Sequence, residues 1–153
     1  EAMKSTSWSR SKALSARPLP EQVARQWQLN DTAWLALTLA NASAQQQPVE
    51  LTVELTDAAG ESARLPLRQF AVLHPPLPIH LVRLPMLESI VDKVPELVPQ
   101  TVELPLAEFM QANPHFAPGR LTGVTLWLER HQAGALVLDE IGFNASSKAE
   151  QPR

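Results

Sequence analysis

The chain has no cysteine, no tyrosine and only 5 glycines in 153 residues. Without cysteine there are no disulfides and no thiolate metal sites, and the redox compartment stays open. So few glycines leave no Gly-rich phosphate cradle and no dinucleotide fingerprint. A Gly-x-Ser-x-Gly nucleophile elbow is also missing. No apolar run approaches the roughly 20 residues that a membrane-spanning helix needs. The formal net charge is −3 and the basic residues are scattered, so the footprint of a nucleic-acid binder is missing.

What is abundant is proline, 14 residues of it. Each proline removes a backbone donor and clashes with the preceding helical turn, which argues for short strands joined by stiff turns. The hydrophobic fraction of 44% and the length suit one well-buried core.

Period-two alternation then recurs along the chain. In Trp34–Asn41 the residues Leu35, Leu37 and Leu39 share one face, and Trp34, Ala36, Thr38 and Ala40 the other. Val49–Thr56 alternates Val49, Leu51, Val53 and Leu55 against Glu50, Thr52, Glu54 and Thr56. Such alternation marks half-buried strands. Asp57-Ala58-Ala59-Gly60 is a turn, and Ala63, Leu65 and Leu67 resume the pattern, which predicts a hairpin. Further strands are expected at Val23–Leu29, Phe70–Leu73, Ile79–Leu84, Thr101–Leu106, Leu121–Arg130 and Ala135–Phe143. The last two are expected to pair as a second hairpin around His131–Gly134. Their inward sets are Val124, Leu126 and Leu128, then Leu136, Leu138 and, after a slip, Ile141 or Phe143.

About eight or nine strands with short helical turns predict an all-β, antiparallel β-sandwich of the jelly-roll kind. Residues 1–16 read as a flexible leader, 17–145 as the sandwich and 146–153 as a disordered tail. His74–Pro78 must be extended or turning. Pro85–Gln100 is a long connection with a helical turn or two at Leu87–Val94.

The order of motifs in the last third is specific. Val102-Glu103-Leu104-Pro105-Leu106-Ala107-Glu108-Phe109 is followed by Asn113–Pro118, Leu121–Leu126 and Gly134–Phe143 with its Leu138-Asp139-Glu140-Ile141. This succession resembles the closing half of galactose-binding-like jelly-roll domains, including carbohydrate-binding modules of secreted glycoside hydrolases. The resemblance implies a non-catalytic accessory domain of a larger exported protein, secreted or periplasmic, with a polysaccharide or oligosaccharide as ligand. It also implies one structural calcium at most, with Asp139 and Glu140 at the acidic pair's position; beyond that no cofactor is expected. Phe109 and Phe116 are placed to plug one end of the sandwich.

Four chemistries follow for the candidate residues. Sugar rings stack their apolar faces on flat aromatics while polar groups take the hydroxyls. Trp34 and Trp127 alternate outward, with Thr38, Thr125, Glu129, Glu50 and Glu54 as polar partners; alternatively each tryptophan simply covers a sheet rim. Such clefts commonly use several aromatics, and the absence of tyrosine counts against one. A calcium shell needs six or more hard oxygens, yet the N-terminal region is poor in acids, with Glu21 the only candidate before Asn30-Asp31. Catalysis lacks a constellation: His74, His80, His115 and His131 fall in separate contexts, and Glu103 and Glu108 are the only imaginable acid and base. Finally, Leu77, Ile79, Met86, Leu87, Ile90, Val91 and Val94 offer an apolar surface for docking against another domain of the same protein, the alternative to sugar binding.

Overall fold

The computed structural model describes residues 4–8, 12–15, 29–43, 49–77, 96–128 and 134–145. The strands are β1 (Lys4–Trp8), β2 (Lys12–Ser15), β3 (Ala33–Asn41), β4 (Leu51–Asp57), β5 (Ser62–Pro66), β6 (Gln100–Pro105), β7 (Leu121–Leu128) and β8 (Gly134–Ala145). A single described α-helix, α1 (Leu106–Ala112), follows β6.

Two antiparallel sheets result, β1-β8-β3-β6 and β2-β7-β4-β5. We call them sheet A and sheet B. The architecture is an all-β sandwich, as the alternation requires: one apolar face per strand is buried only if two such faces meet. Leu35, Leu37 and Leu39 of sheet A and Val53, Leu55, Val124 and Leu126 of sheet B are buried between the layers. Phe109 and Phe116 are among the largest fully buried side chains and join the same core.

The β4–β5 hairpin is as expected, with Val53 opposite Leu65 and Leu55 opposite Ala63. Its turn is built by Asp57, whose side chain is buried: Oδ1 accepts from the backbone N–H of Ala59 at 2.8 Å and of Glu61 at 3.0 Å. Gly60 takes φ +83°, where a side chain would be strained.

Several expectations change. Among the described residues, six of the stretches expected as strands are strands. Phe70–Leu73 is not: a 3-10 turn at Leu67–Gln69 leads into irregular chain. There the side chain of Gln100 replaces a ladder, accepting from His74 N–H at 2.8 Å and donating to Val72 O at 3.3 Å. Val23–Leu29, save Leu29, and Ile79–Leu84 lie outside the described residues, as do the helical turn expected at Leu87–Val94 and the tail at 146–153. The stretch read as a leader contributes β1 and β2, each pairing in register with one sheet.

The second hairpin is also corrected. β7 lies in sheet B and β8 in sheet A, so the two strands do not pair with each other. Alternation specifies which face of a strand is buried, and facing across a core satisfies it as fully as lying side by side. The inward sets stand: Val124, Leu126, Leu128 and Leu136 are buried, and Leu138, Ile141 and Phe143 pack against the core. The expected slip is a bulge. Leu39 opposes Leu138 while Thr38 opposes Glu140, leaving Asp139 as the extra residue.

Among the described residues no helix is long and apolar enough to cross a membrane.

Candidate functional site

The bulge at Asp139 decides what the outer face of sheet A presents. Continued alternation from Leu138 would turn Asp139 outward and Glu140 inward. One inserted residue reverses this and sets Glu140 beside Thr38 on the outer face.

Three rows of outward side chains follow from the register. The central row, on β3, is Trp34, Ala36 and Thr38. On β6 their neighbours are Pro105, Glu103 and Thr101, and on β8 they are Asn144, Gly142 and Glu140. Part of this face forms a groove of about 540 Å³, lined by Ala36 and Thr38 of β3, Thr101 and Glu103 of β6 and residues 140–144 of β8; Trp34 and Pro105 lie outside this lining. The level of Ala36 and Gly142 is its lowest point, because neither residue carries more than a methyl group. A Cβ added at Gly142 would meet nothing within 4 Å, so the space above it is open.

Trp34 stands at one end of this face and is 38% exposed, the one large aromatic that the described surface shows to solvent at that level. At the other end Thr38 Oγ1 and Thr101 Oγ1 share a hydrogen bond of 3.0 Å. Beyond Thr38 the face is covered, since Ala40 and Val137 are buried. From Trp34 to Thr38 the face runs about 13 Å along the strand, and the three strands span about 10 Å across. The arrangement offers one flat apolar plate, a shallow floor, and hydroxyl, amide and carboxylate groups on both sides. That is what a polyhydroxylated chain needs.

Trp127 is not part of it. Together with Thr125 it lies on β7, on the outer face of sheet B, opposite Thr52 and Glu54 of β4. The expected joint platform of Trp34 and Trp127 is therefore split between opposite sides of the sandwich. Both alternate outward, but from different sheets, and alternation does not say which sheet a strand joins. The Trp127 ring is also occupied. Its Nε1 donates to Glu54 Oε2, and the Arg64 guanidinium lies 4.9 Å from the ring centroid. Arg64 Nη2 in turn donates to Glu54 Oε1 at 3.3 Å. Burial alone would raise the pKa of Glu54, but hydrogen bonds from Trp127, Ser62 and Arg64, with the Arg64 charge, hold it below the ordinary value of 4.5.

Thr38 is in the groove as expected, and Thr125 is on the wrong side for it. Glu129 lies outside the described residues. Glu140, expected to bind metal, lines the groove. Asp139 and Glu140 are adjacent in the bulge, and among the described residues no three acidic or imidazole side chains converge. Glu21, the other acid considered for calcium, lies outside the described residues. Of the histidines, His74 and His115 are exposed and apart, while His80 and His131 lie outside the described residues. Glu103 falls in the groove, but Glu108 sits in the first turn of α1.

Thr101, Gly142 and Asn144 were missed by the sequence reading. Their signal lies only in the β3–β6 and β3–β8 registers, which long-range pairing sets.

No protein-family model matches the chain, and no curated protein matches it. The fold does match solved structures. One is the family 30 carbohydrate-binding module of a cellulosomal cellulase of Clostridium thermocellum, at TM-score 0.52 and 10% identity, covering 79% of this chain and 60% of that one. Two other structures of family 30 carbohydrate-binding modules match at TM-scores of 0.50 and 0.53, with 8% and 10% identity. They cover 80% and 89% of this chain, and 54% and 67% of theirs. The chain thus spans little more than half to two thirds of these modules. At such identities the likeness is one of fold, and it bears out the expected resemblance to carbohydrate-binding modules.

Proposed function

We propose that this chain is a non-catalytic carbohydrate-binding domain whose ligand lies along β3 on the outer face of sheet A. The observation that carries the reading is an exposed Trp34 on the same sheet face as a polar groove floored by Ala36 and Gly142. The ring of Trp34 stacks a sugar face, and Thr38, Thr101, Glu103, Glu140 and Asn144 hydrogen-bond the hydroxyls. The sandwich it shares with family 30 carbohydrate-binding modules supports the same reading. In this proposal the topology is a jelly roll, and the domain is an accessory part of a larger exported protein.

Calorimetric titration with soluble oligosaccharides tests this. The unaltered chain binds at least one of them, and Trp34→Ala removes the binding without lowering the melting temperature. A flat response across glucans, xylans, mannans and galactans rejects the proposal.

A second reading, docking against a neighbouring domain, is favoured by one observation: Val72 and Leu77 are 57% and 53% exposed beside the proline-rich segment. The remaining apolar residues of that surface, from Ile79 to Val94, lie outside the described residues.

A further inference from the structure

Glu103 and Glu140 flank the central row of the groove from opposite sides. Glu103 is level with Ala36 on β6, and Glu140 is level with Thr38 on β8. They are therefore staggered by two residues along β3, roughly 7 Å. Both are exposed. Among the described residues neither has an ion-pair or hydrogen-bond partner, and no Lys, Arg or His lines the groove. Among the described residues the groove thus carries a carboxylate on both walls and no cationic side chain.

A β-1,4-linked glycan laid along β3 alternates its substituents between the same two walls. Successive rings in such a chain are turned over relative to one another, so the same substituent points to alternate sides. One carboxylate on each wall, offset along the axis, meets that substituent on consecutive rings.

Building on the carbohydrate-binding reading above, we propose that the groove selects its ligand by charge. It takes β-1,4-linked amino-sugar chains, whose ring-borne ammonium groups pair with Glu103 and Glu140. It takes the neutral counterparts more weakly, and it rejects uronic-acid chains. Trp34 supplies the stacking common to all, and the two carboxylates supply the discrimination. Like charges set against each other act as a barrier to the wrong ligand, while opposite charges speed and steady the right one.

The test compares three oligomers of equal length: β-1,4-linked glucosamine, β-1,4-linked glucose and oligogalacturonate. Binding to the full chain is measured by calorimetry at low salt and at a pH where the amines are protonated. The glucosamine oligomer is expected to bind roughly tenfold tighter than the glucose oligomer, an advantage of the size two partly exposed charge pairs give. The galacturonate oligomer should not bind. Added salt should erode the advantage, because exposed pairs are screened. In the Glu103→Gln, Glu140→Gln double variant the ratio of the two affinities should fall to near unity. Equal binding of the amino and neutral oligomers by the unaltered chain overturns the proposal. So does a preference that survives in the double variant, which would place the attraction elsewhere on this acidic protein. Failure of all three oligomers to bind also overturns the charge-selection proposal, while the carbohydrate reading itself falls only with a flat response across glucans, xylans, mannans and galactans.

Discussion

Arg64 lies over the indole of Trp127, 4.9 Å from the ring centroid, while the indole nitrogen donates to Glu54. The Trp127 ring is thereby engaged in an internal contact on sheet B, while Trp34, on the opposite side of the sandwich, is exposed. The two tryptophans should separate cleanly on substitution. Trp127→Ala removes a half-buried ring, a cation–π contact and a donor to a buried carboxylate, and should cost about 2–3 kcal/mol of stability. Its glycan binding should persist under conditions where it remains folded. Trp34→Ala should do the reverse, with chemical denaturation and calorimetry as the paired readouts.

Glu54 makes stability depend on acid. Its pKa is lowered in the folded protein, so the folded state binds the proton less readily than the unfolded chain does. The contribution is complete above the ordinary value of 4.5 and is lost as the pH falls through the lower, folded value. Thermal unfolding followed from neutral pH downward should show an acid-side decline that is shallower in Glu54→Gln. An unchanged acid limb would show that other carboxylates govern it.

Gly142 separates folding from binding. It sits mid-strand, where a glycine weakens pairing, and the space above it is open. Gly142→Val should therefore leave the melting temperature unchanged or slightly raised. Its side chain stands in the floor of the groove beside Ala36. Loss of glycan binding in a fully stable Gly142→Val protein is the expected outcome.

Asp57 ties the β4–β5 turn to the stretch 117–120. Besides Ala59 and Glu61, it accepts from the Ala117 N–H at 3.2 Å and from Arg120 Nη2 at 3.5 Å. Asp57→Asn presents an amide donor where two of those donors point, and should cost about 2 kcal/mol in denaturant unfolding.

The sandwich was legible because its signal is local. Leu35-x-Leu37-x-Leu39 and Val53-x-Leu55 declare a buried face within a few residues, and the Asp57–Gly60 turn joins β4 to β5 without outside help. Even the slip near Asp139 left its mark, as apolar residues at Leu136 and Leu138 are followed by Ile141 and Phe143. The groove was legible only in part. Trp34 and Thr38 lie on one strand and could be read together. Glu103, Gly142 and Asn144 join them through pairings between strands far apart in sequence, and nothing in a strand's own alternation names its neighbour. The same gap explains why Trp127 was assigned to the same platform as Trp34, and why β7 and β8 were expected to pair. Glu140 was read by position in a family pattern, and the bulge gave it a different surrounding.

The most direct test of the central claim is a map of backbone amide NMR shifts during titration with a bound oligosaccharide. The largest changes should fall on Ala36, Thr38, Thr101, Glu103, Glu140, Gly142 and Asn144, with the Trp34 indole signal moving alongside. Changes centred instead on Thr52, Thr125 and Trp127 would contradict the assignment of the ligand to sheet A.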